Sequence, residues 1–190
     1  PHDHVREARL ILGIMQTFYC SHVVHDYTGA GTVRETLLVQ SGLDPANILA
    51  VAYVGPAKSG LINFKPANEF HPRNHYTMDR NRALNYCCQF IKSHIVRFFQ
   101  YDHKGSEDTG LLHDFLNLIE DKSESGSGRD HYRILRDPSG PDDFAQAVTM
   151  GTMMLFQMHG RWPDLSAYED MRISDEVRTA MQGRAIADPE

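Results

Sequence analysis

The 190-residue chain has little of what would assign a function directly. Its three cysteines make no disulfide framework and lack metal-ligand spacing, which indicates buried thiols in a reducing compartment. No apolar run approaches the roughly 20 residues that cross a bilayer, and no signal peptide is visible. The eleven histidines are scattered, without an HExxH or paired CxxC motif that would predict zinc. A net charge of −6 argues against a uniformly basic nucleic-acid-binding surface but permits a local basic groove.

The composition is that of an ordinary globular protein, with 41% apolar and 23% charged residues. The length suffices for one domain with a real core. We expect residues 1–158 to form this domain and the polar residues 159–190 to be a tail. Because the sequence begins inside a predicted helix, we expect a fragment of a longer chain.

The first third of the sequence predicts an α/β fold. Apolar residues recur at helical spacing over residues 4–18, and a short β-branched strand follows over residues 21–26. A helix is predicted over residues 32–40, and the apolar run ILAVAYV (48–54) indicates a strand covered on both faces. This order of helix, strand, helix and strand is typical of a parallel βαβ sheet.

The remaining elements follow less regular patterns. The sequence predicts a short strand (61–64), an irregular polar segment (65–76), a long helix (78–95) capped by Thr77, a strand (96–101), a helix (111–120), a Ser/Gly-rich loop (122–130), a strand (132–135) and a final helix from Asp142 to about residue 158.

Asp26 ends the first predicted strand and is followed by a glycine-bracketed turn. Open α/β sheets bind ligands at the carboxyl ends of their strands, so Asp26 is a candidate functional carboxylate. The alternative is that Asp26 only braces the turn, as Asp often does. Thr32 and Glu35 have the spacing of a capping box for the next helix. Strand alternation puts His25 on the face opposite Asp26, which indicates a structural neighbour and not a ligand.

Asp142 and Asp143 open the final predicted helix after a stretch rich in proline and glycine. A single Asp at this position is explained by capping and by the helix dipole. A second Asp needs another explanation. Successive helical side chains point about 100° apart, so the two carboxylates need not share a role. We favour Asp143 as a metal ligand, with Asp142 as a second ligand or as the cap.

Three stretches in this order carry a family resemblance: HDYTGAG (25–31), YTMDRNRAL (76–84) and PDDFAQAV (141–148). Together they resemble the nuclease domain of the large terminase subunit of tailed phages, over most of residues 5–156. The resemblance implies an RNase H-like (retroviral-integrase-like) mixed sheet flanked by helices. In that family the first strands, with the first catalytic Asp, precede the helix predicted here at residues 4–18. We therefore expect an N-terminally incomplete domain; Asp3 fits a helix N-cap instead.

The resemblance implies a metal-dependent endonuclease that cuts concatemeric double-stranded viral DNA in the host cytoplasm. Such folds hydrolyse phosphodiesters with two divalent ions, and Mg²⁺ or Mn²⁺ prefers carboxylate oxygens. Asp26, Asp142 and Asp143 are the implied catalytic residues and metal ligands. No Walker motif is present, so the implied ATPase motor would lie upstream, and the portal and the small terminase subunit are the implied partners. The candidate DNA contacts are Lys58, Lys65, Arg73, Arg80 and Arg82, each of which is also compatible with a solvated surface position.

Two other functions stay open. One is a different RNase H-like nuclease, of the Holliday-junction resolvase or transposase type. The other is a non-catalytic module that binds a protein partner, in which Asp26, Asp142 and Asp143 serve only as caps.

Overall fold

The computed structural model describes residues 3–55, 60–98, 113–124, 130–136, 138, 140 and 142–164. Within these ranges the chain forms five α-helices, a mixed four-stranded sheet and a separate antiparallel pair of strands, so the predicted α/β class is confirmed. The elements are α1 (His4–Thr17), β1 (Val23–Asp26), α2 (Gly31–Gln40), β2 (Ile48–Val54), β3 (Ile62–Lys65), β4 (His75–Asp79), α3 (Arg80–Lys92), α4 (His113–Leu116), β5 (Leu118–Glu124), β6 (Asp130–Arg136) and α5 (Asp143–His159).

The main sheet has the strand order β1-β2-β4-β3, in which β3 alone is antiparallel. The predicted helix–strand–helix–strand order is confirmed, because α2 connects the parallel strands β1 and β2. Asp26 lies opposite Val51 in this register, and Val51 lies opposite Tyr76. Ala50 and Val51 are both buried although neighbouring strand residues point to opposite faces, so β2 is covered on both sides as predicted.

Helices α3 and α5 pack against each other over the sheet, and α5 also contacts β1. The core between them is built from small and flexible apolar side chains, which fill irregular space well. Its buried members are Val51, Met78, Ala83, Cys87, Phe90, Met150, Met153 and Met154. This packing brings the start of α5 to the strand that ends in Asp26.

The prediction of an irregular segment over residues 65–76 is wrong at its end, because β4 begins at His75. His75 is only 4% exposed and stacks on Tyr27 at a ring distance of 4.3 Å. Thr77 lies inside β4 and does not cap the next helix. Asp79 caps α3 instead, since its Oδ1 accepts a hydrogen bond of 3.1 Å from Arg82 N.

The predictions after α3 are partly wrong. Residues 96–98 are not in a strand, and residues 99–101 lie outside the described ranges. Of residues 113–120, the described part of the helix predicted over residues 111–120, only His113–Leu116 is helical, since β5 starts at Leu118 and pairs with β6. Both ends of the predicted loop 122–130 belong to this hairpin, whereas the strand predicted over residues 132–135 is confirmed within β6. The pairing of β5 with β6 depends on cross-strand hydrogen bonds, which the local pattern of apolar and polar residues does not reveal.

The tail predicted over residues 159–190 starts one residue early, because α5 continues through His159. Residues 161–164 have no regular structure, and residues 165–190 lie outside the described ranges. In the part of the chain that is described, no helix combines the length and the hydropathy that a membrane span requires.

Candidate functional site

The turn after β1 holds Asp26 at the edge of the sheet. Asp26 Oδ1 accepts hydrogen bonds of 2.8 Å from both the amide and the hydroxyl of Thr28. Gly31 packs so closely on the Asp26 carbonyl oxygen that a Cβ at this position would collide with it. Gly29 has a φ of 59°, which favours glycine. The side chain of Asp26 therefore braces the turn, and it is also exposed at the end of its strand.

The capping box predicted for α2 is wrong. The helix begins at Gly31 and its cap position is Ala30, which provides no side-chain hydrogen bond. The Thr32 hydroxyl accepts a 2.8 Å bond from Arg73, and the Glu35 carboxylate pairs with Arg73 and His25. Both side chains of the predicted box are thus used in contacts between distant segments.

Asp142 is not the side-chain cap of α5. It is 7% exposed, and its Oδ2 accepts bonds from Arg80 Nη2 at 3.1 Å and from Gln146 Nε2 at 2.7 Å. The helix is capped by Asp114, whose Oδ2 accepts a 2.7 Å bond from Phe144 N. No sequence motif could have identified Asp114, because it lies 30 residues before the amide that it caps.

Asp143 is in the first turn of α5 and is exposed. Among the described residues it forms no ion pair, whereas Asp142 is neutralised by Arg80. An exposed carboxylate beside a paired one is the better placed of the two to bind a cation from solvent. This difference supports Asp143, and not Asp142, as the main metal ligand at the start of α5.

The three predicted carboxylates line one cavity of about 1110 Å³. Asp26 enters its wall from β1, Asp142 and Asp143 from α5, and Arg80 from α3. The lining also includes apolar side chains, among them Ile11, Ile14 and Met15 of α1 and Met150 of α5. The sequence resemblance was the sole reason to expect the three carboxylates in one place. In the structure, the packing of α5 against β1 brings them to the same cavity.

Tyr53 and Gln146 extend the polar end of this cavity. The Tyr53 hydroxyl donates a 3.2 Å bond to the Gln146 carbonyl oxygen, and burial raises the pKa of Tyr53 far above its usual value. Tyr53 is therefore a neutral phenol at physiological pH. Sequence analysis missed both residues, because an aromatic in an apolar strand and a helical Gln have no motif around them.

The three carboxylates offer oxygen donors, which suit a hard cation such as Mg²⁺, and Cys20, His22 and His25 also line the cavity. Within the described ranges, however, no three His, Cys, Asp or Glu side chains come together as a complete metal cage. Mg²⁺ commonly binds through one or two carboxylates, waters and substrate phosphates, so a full protein cage is not required. Asp26 and Asp143 fit such a partial ligand set, and Asp142 fits it less well because it already pairs with Arg80.

The predicted DNA contacts do not form one surface around the cavity. Lys58 lies outside the described residues, and Lys65 is exposed at the end of β3. Arg73 pairs with Glu35, and an Arg82 Nη1 atom lies 3.4 Å from the Gly60 carbonyl oxygen. Of the four that are described, Arg80 is the one that lines the cavity. Arg34, which was not predicted, also lines it.

Comparisons with protein families, curated proteins and solved structures found no match for this chain.

Proposed function

We propose that this chain is a metal-dependent endonuclease domain with an RNase H-like sheet, of the type found in the large terminase subunit of tailed phages. Its substrate would be concatemeric double-stranded viral DNA in the host cytoplasm. Its partners would be an upstream ATPase motor domain, the portal and the small terminase subunit. The observation that carries the proposal is one cavity lined by Asp26 from a strand end and by Asp142 and Asp143 from a distant helix start.

The sheet offers further support. Among the described strands, β1 pairs with β2 alone, so its second edge is open to another strand. In the family that the sequence resembles, the first catalytic Asp lies on a strand that precedes the helix matching α1, and we propose that such a strand pairs at this open edge. A parallel strand beside β1 would bring its side chains to the same end of the sheet as Asp26.

The residues divide the proposed chemistry between them. Asp26 and Asp143 would hold two Mg²⁺ or Mn²⁺ ions with Asp142 as an additional ligand, and these ions would activate a water and stabilise the leaving oxygen. Arg80 holds Asp142 through a 3.1 Å contact and places a guanidinium in the cavity wall. Because Asp142 already neutralises this guanidinium, Arg80 would orient the carboxylate and would attract a phosphate only weakly.

A non-catalytic interaction module is the second candidate. It is favoured by the bonds that already occupy Asp26 and Asp142 and by the apolar surface at and after α1. Leu10, Phe18 and Tyr19 are 64%, 71% and 94% exposed. Such a surface is typical of protein contacts. In this case the carboxylates would contribute to stability alone.

Nicking of supercoiled plasmid distinguishes the two candidates when it is measured on the protein that includes the additional strand and Asp implied by the resemblance. We expect nicking with Mn²⁺ or Mg²⁺, its loss in EDTA, and its loss in Asp26→Asn and Asp143→Asn. Asp44→Asn is the matched control, because Asp44 is also exposed and accepts a 2.8 Å bond from the amide two residues later, yet does not line the cavity. Metal-independent nicking, or an Asp26→Asn variant as active as Asp44→Asn, would reject the proposed enzyme.

A further inference from the structure

The Glu35 carboxylate connects two segments that flank the Asp26 turn. Its Oε2 atom accepts from Arg73 Nη1 and lies 3.2 Å from His25 Nε2. The side chains of His25, Glu35 and Arg73 are 12%, 20% and 25% exposed. Partial burial makes these contacts stronger and less sensitive to salt than those of a surface ion pair.

His25 transmits this contact to Asp26. Its Nδ1 atom lies 2.8 Å from the Asp26 carbonyl oxygen while its Nε2 faces Glu35. Gly31 packs against the same carbonyl oxygen, close to the His25 Nδ1 atom. The backbone of Asp26 is therefore held between the imidazole and α2. A shift of the Glu35 carboxylate would move the His25 ring and, with it, the Asp26 carbonyl group.

Arg73 is committed to this network with both terminal nitrogens. Nη1 donates to Glu35, Nη2 donates a 2.8 Å bond to the Thr32 hydroxyl, and the guanidinium carbon lies 5.0 Å from the centre of the Tyr27 ring. These bonds use two of the five N–H donors of the guanidinium, whose side chain is 25% exposed. The positive charge is also neutralised by Glu35, which removes most of its attraction for an anion.

We infer that Arg73 and Glu35 are positioning residues for Asp26, acting through His25, and that Arg73 is not a DNA contact. The inference rests on the proposed nuclease function and deepens it. Residues that orient metal-binding side chains typically change metal affinity or activity by about 10–100-fold when they are substituted. Removal of a phosphate contact instead weakens DNA binding and reduces its salt dependence.

Glu35→Gln separates the two roles because they predict opposite effects. If Arg73 binds phosphate, loss of its Glu35 partner frees it, and DNA affinity should stay the same or rise with turnover unchanged. If the network positions Asp26, Glu35→Gln and Arg73→Lys should each lower the kcat of plasmid nicking by about tenfold or more, with KM for DNA unchanged. Asp44→Asn is the control for nicking because Asp44 does not line the cavity. Glu7→Gln is the control for amide exchange, since Glu7 makes a comparable carboxylate–guanidinium pair with Arg34 at 2.8 Å.

A second measurement does not depend on activity. Tyr27 N donates a 2.8 Å bond to the Val51 carbonyl oxygen, and Thr28 N donates to Asp26, so these two amides report on the turn. We expect their hydrogen exchange to accelerate severalfold in Glu35→Gln and to stay unchanged in Glu7→Gln. Unchanged exchange in Glu35→Gln, or an Arg73→Lys variant that loses only DNA affinity, would overturn the inference. If the wild-type protein that includes the additional strand and Asp implied by the resemblance is inactive, but Glu35→Gln still accelerates exchange, the nuclease is refuted while the coupling to Asp26 stays supported.

Discussion

Asp142→Asn is the substitution whose effect the structure defines most closely. The change keeps the shape of the side chain and removes its charge. Arg80 would keep its 2.7 Å bond to the Ile134 carbonyl oxygen but lose its anionic partner. Gln146 Nε2 would also donate to a neutral amide oxygen instead of a carboxylate.

The cost follows from the burial of the pair. A hydrogen bond to a charged group contributes about 1.5–3 kcal/mol to stability. The Asp142 side chain is 10% exposed but that of Arg80 is 28% exposed, so solvent reduces the loss for the guanidinium. We expect the free energy of unfolding to fall by about 1–2 kcal/mol. At about 2–4 °C per kcal/mol for a chain of this size, Tm should fall by roughly 2–8 °C.

Asp143→Asn provides the comparison. Asp143 is exposed and unpaired among the described residues, so its substitution should change the free energy of unfolding by less than about 0.5 kcal/mol. Plasmid nicking should show the opposite order: Asp143→Asn should be inactive, and Asp142→Asn should keep some activity. Thermal melts and nicking assays on both variants, with and without Mn²⁺, measure the two effects separately. A larger Tm loss in Asp143→Asn would refute our assignment of the two roles.

Two further predictions concern the elements around the site. Gly31→Ala should lower the free energy of unfolding by about 1–3 kcal/mol, because its Cβ would collide with the Asp26 carbonyl oxygen. Gly13→Ala, in an open position of α1, should raise the free energy of unfolding by about 0.5–1 kcal/mol in urea unfolding. Equal effects of the two substitutions would refute the tight packing at Gly31. The hydrogen bond from Arg34 lowers the pKa of Glu7 from 4.5 to about 2, so its contribution is complete above pH 4.5 and lost as the pH falls towards 2. The Tm difference between wild type and Glu7→Gln should therefore vanish near pH 2, and a difference that persists there would contradict the pair.

The first half of the fold could be predicted because its signals are local. The helix α1 and the strand β2 each have one unbroken pattern, and Asp26 ends a short apolar strand. β4 was missed because its first residue is a histidine. His75 is buried only because it stacks on Tyr27, a residue from another strand end. Such burial depends on tertiary contacts that overrule the polar character of the residue.

The residue types in the candidate site could be predicted from the sequence, but their side-chain partners could not. Asp26 and Asp143 could be chosen because carboxylates at strand and helix ends are recurrent ligands. The partners of the arginines could not be chosen, since Arg73 lies 38 residues from Glu35 and Arg80 lies 62 residues from Asp142. Both arginines were read as DNA contacts because the sequence shows a charge and not the carboxylate that neutralises it.

We propose that Asp26 and Asp143 bind divalent cations in the same cavity. Titration of the ¹⁵N-labelled chain with Mn²⁺ tests it directly, because the paramagnetic ion broadens the amide signals of nearby residues. We expect the amide signals of Thr28 and Phe144 to broaden together at low Mn²⁺ concentration, and we expect Asp26→Asn to remove both effects. Broadening of one of them without the other, or equal broadening around the exposed Asp44, would contradict a shared site.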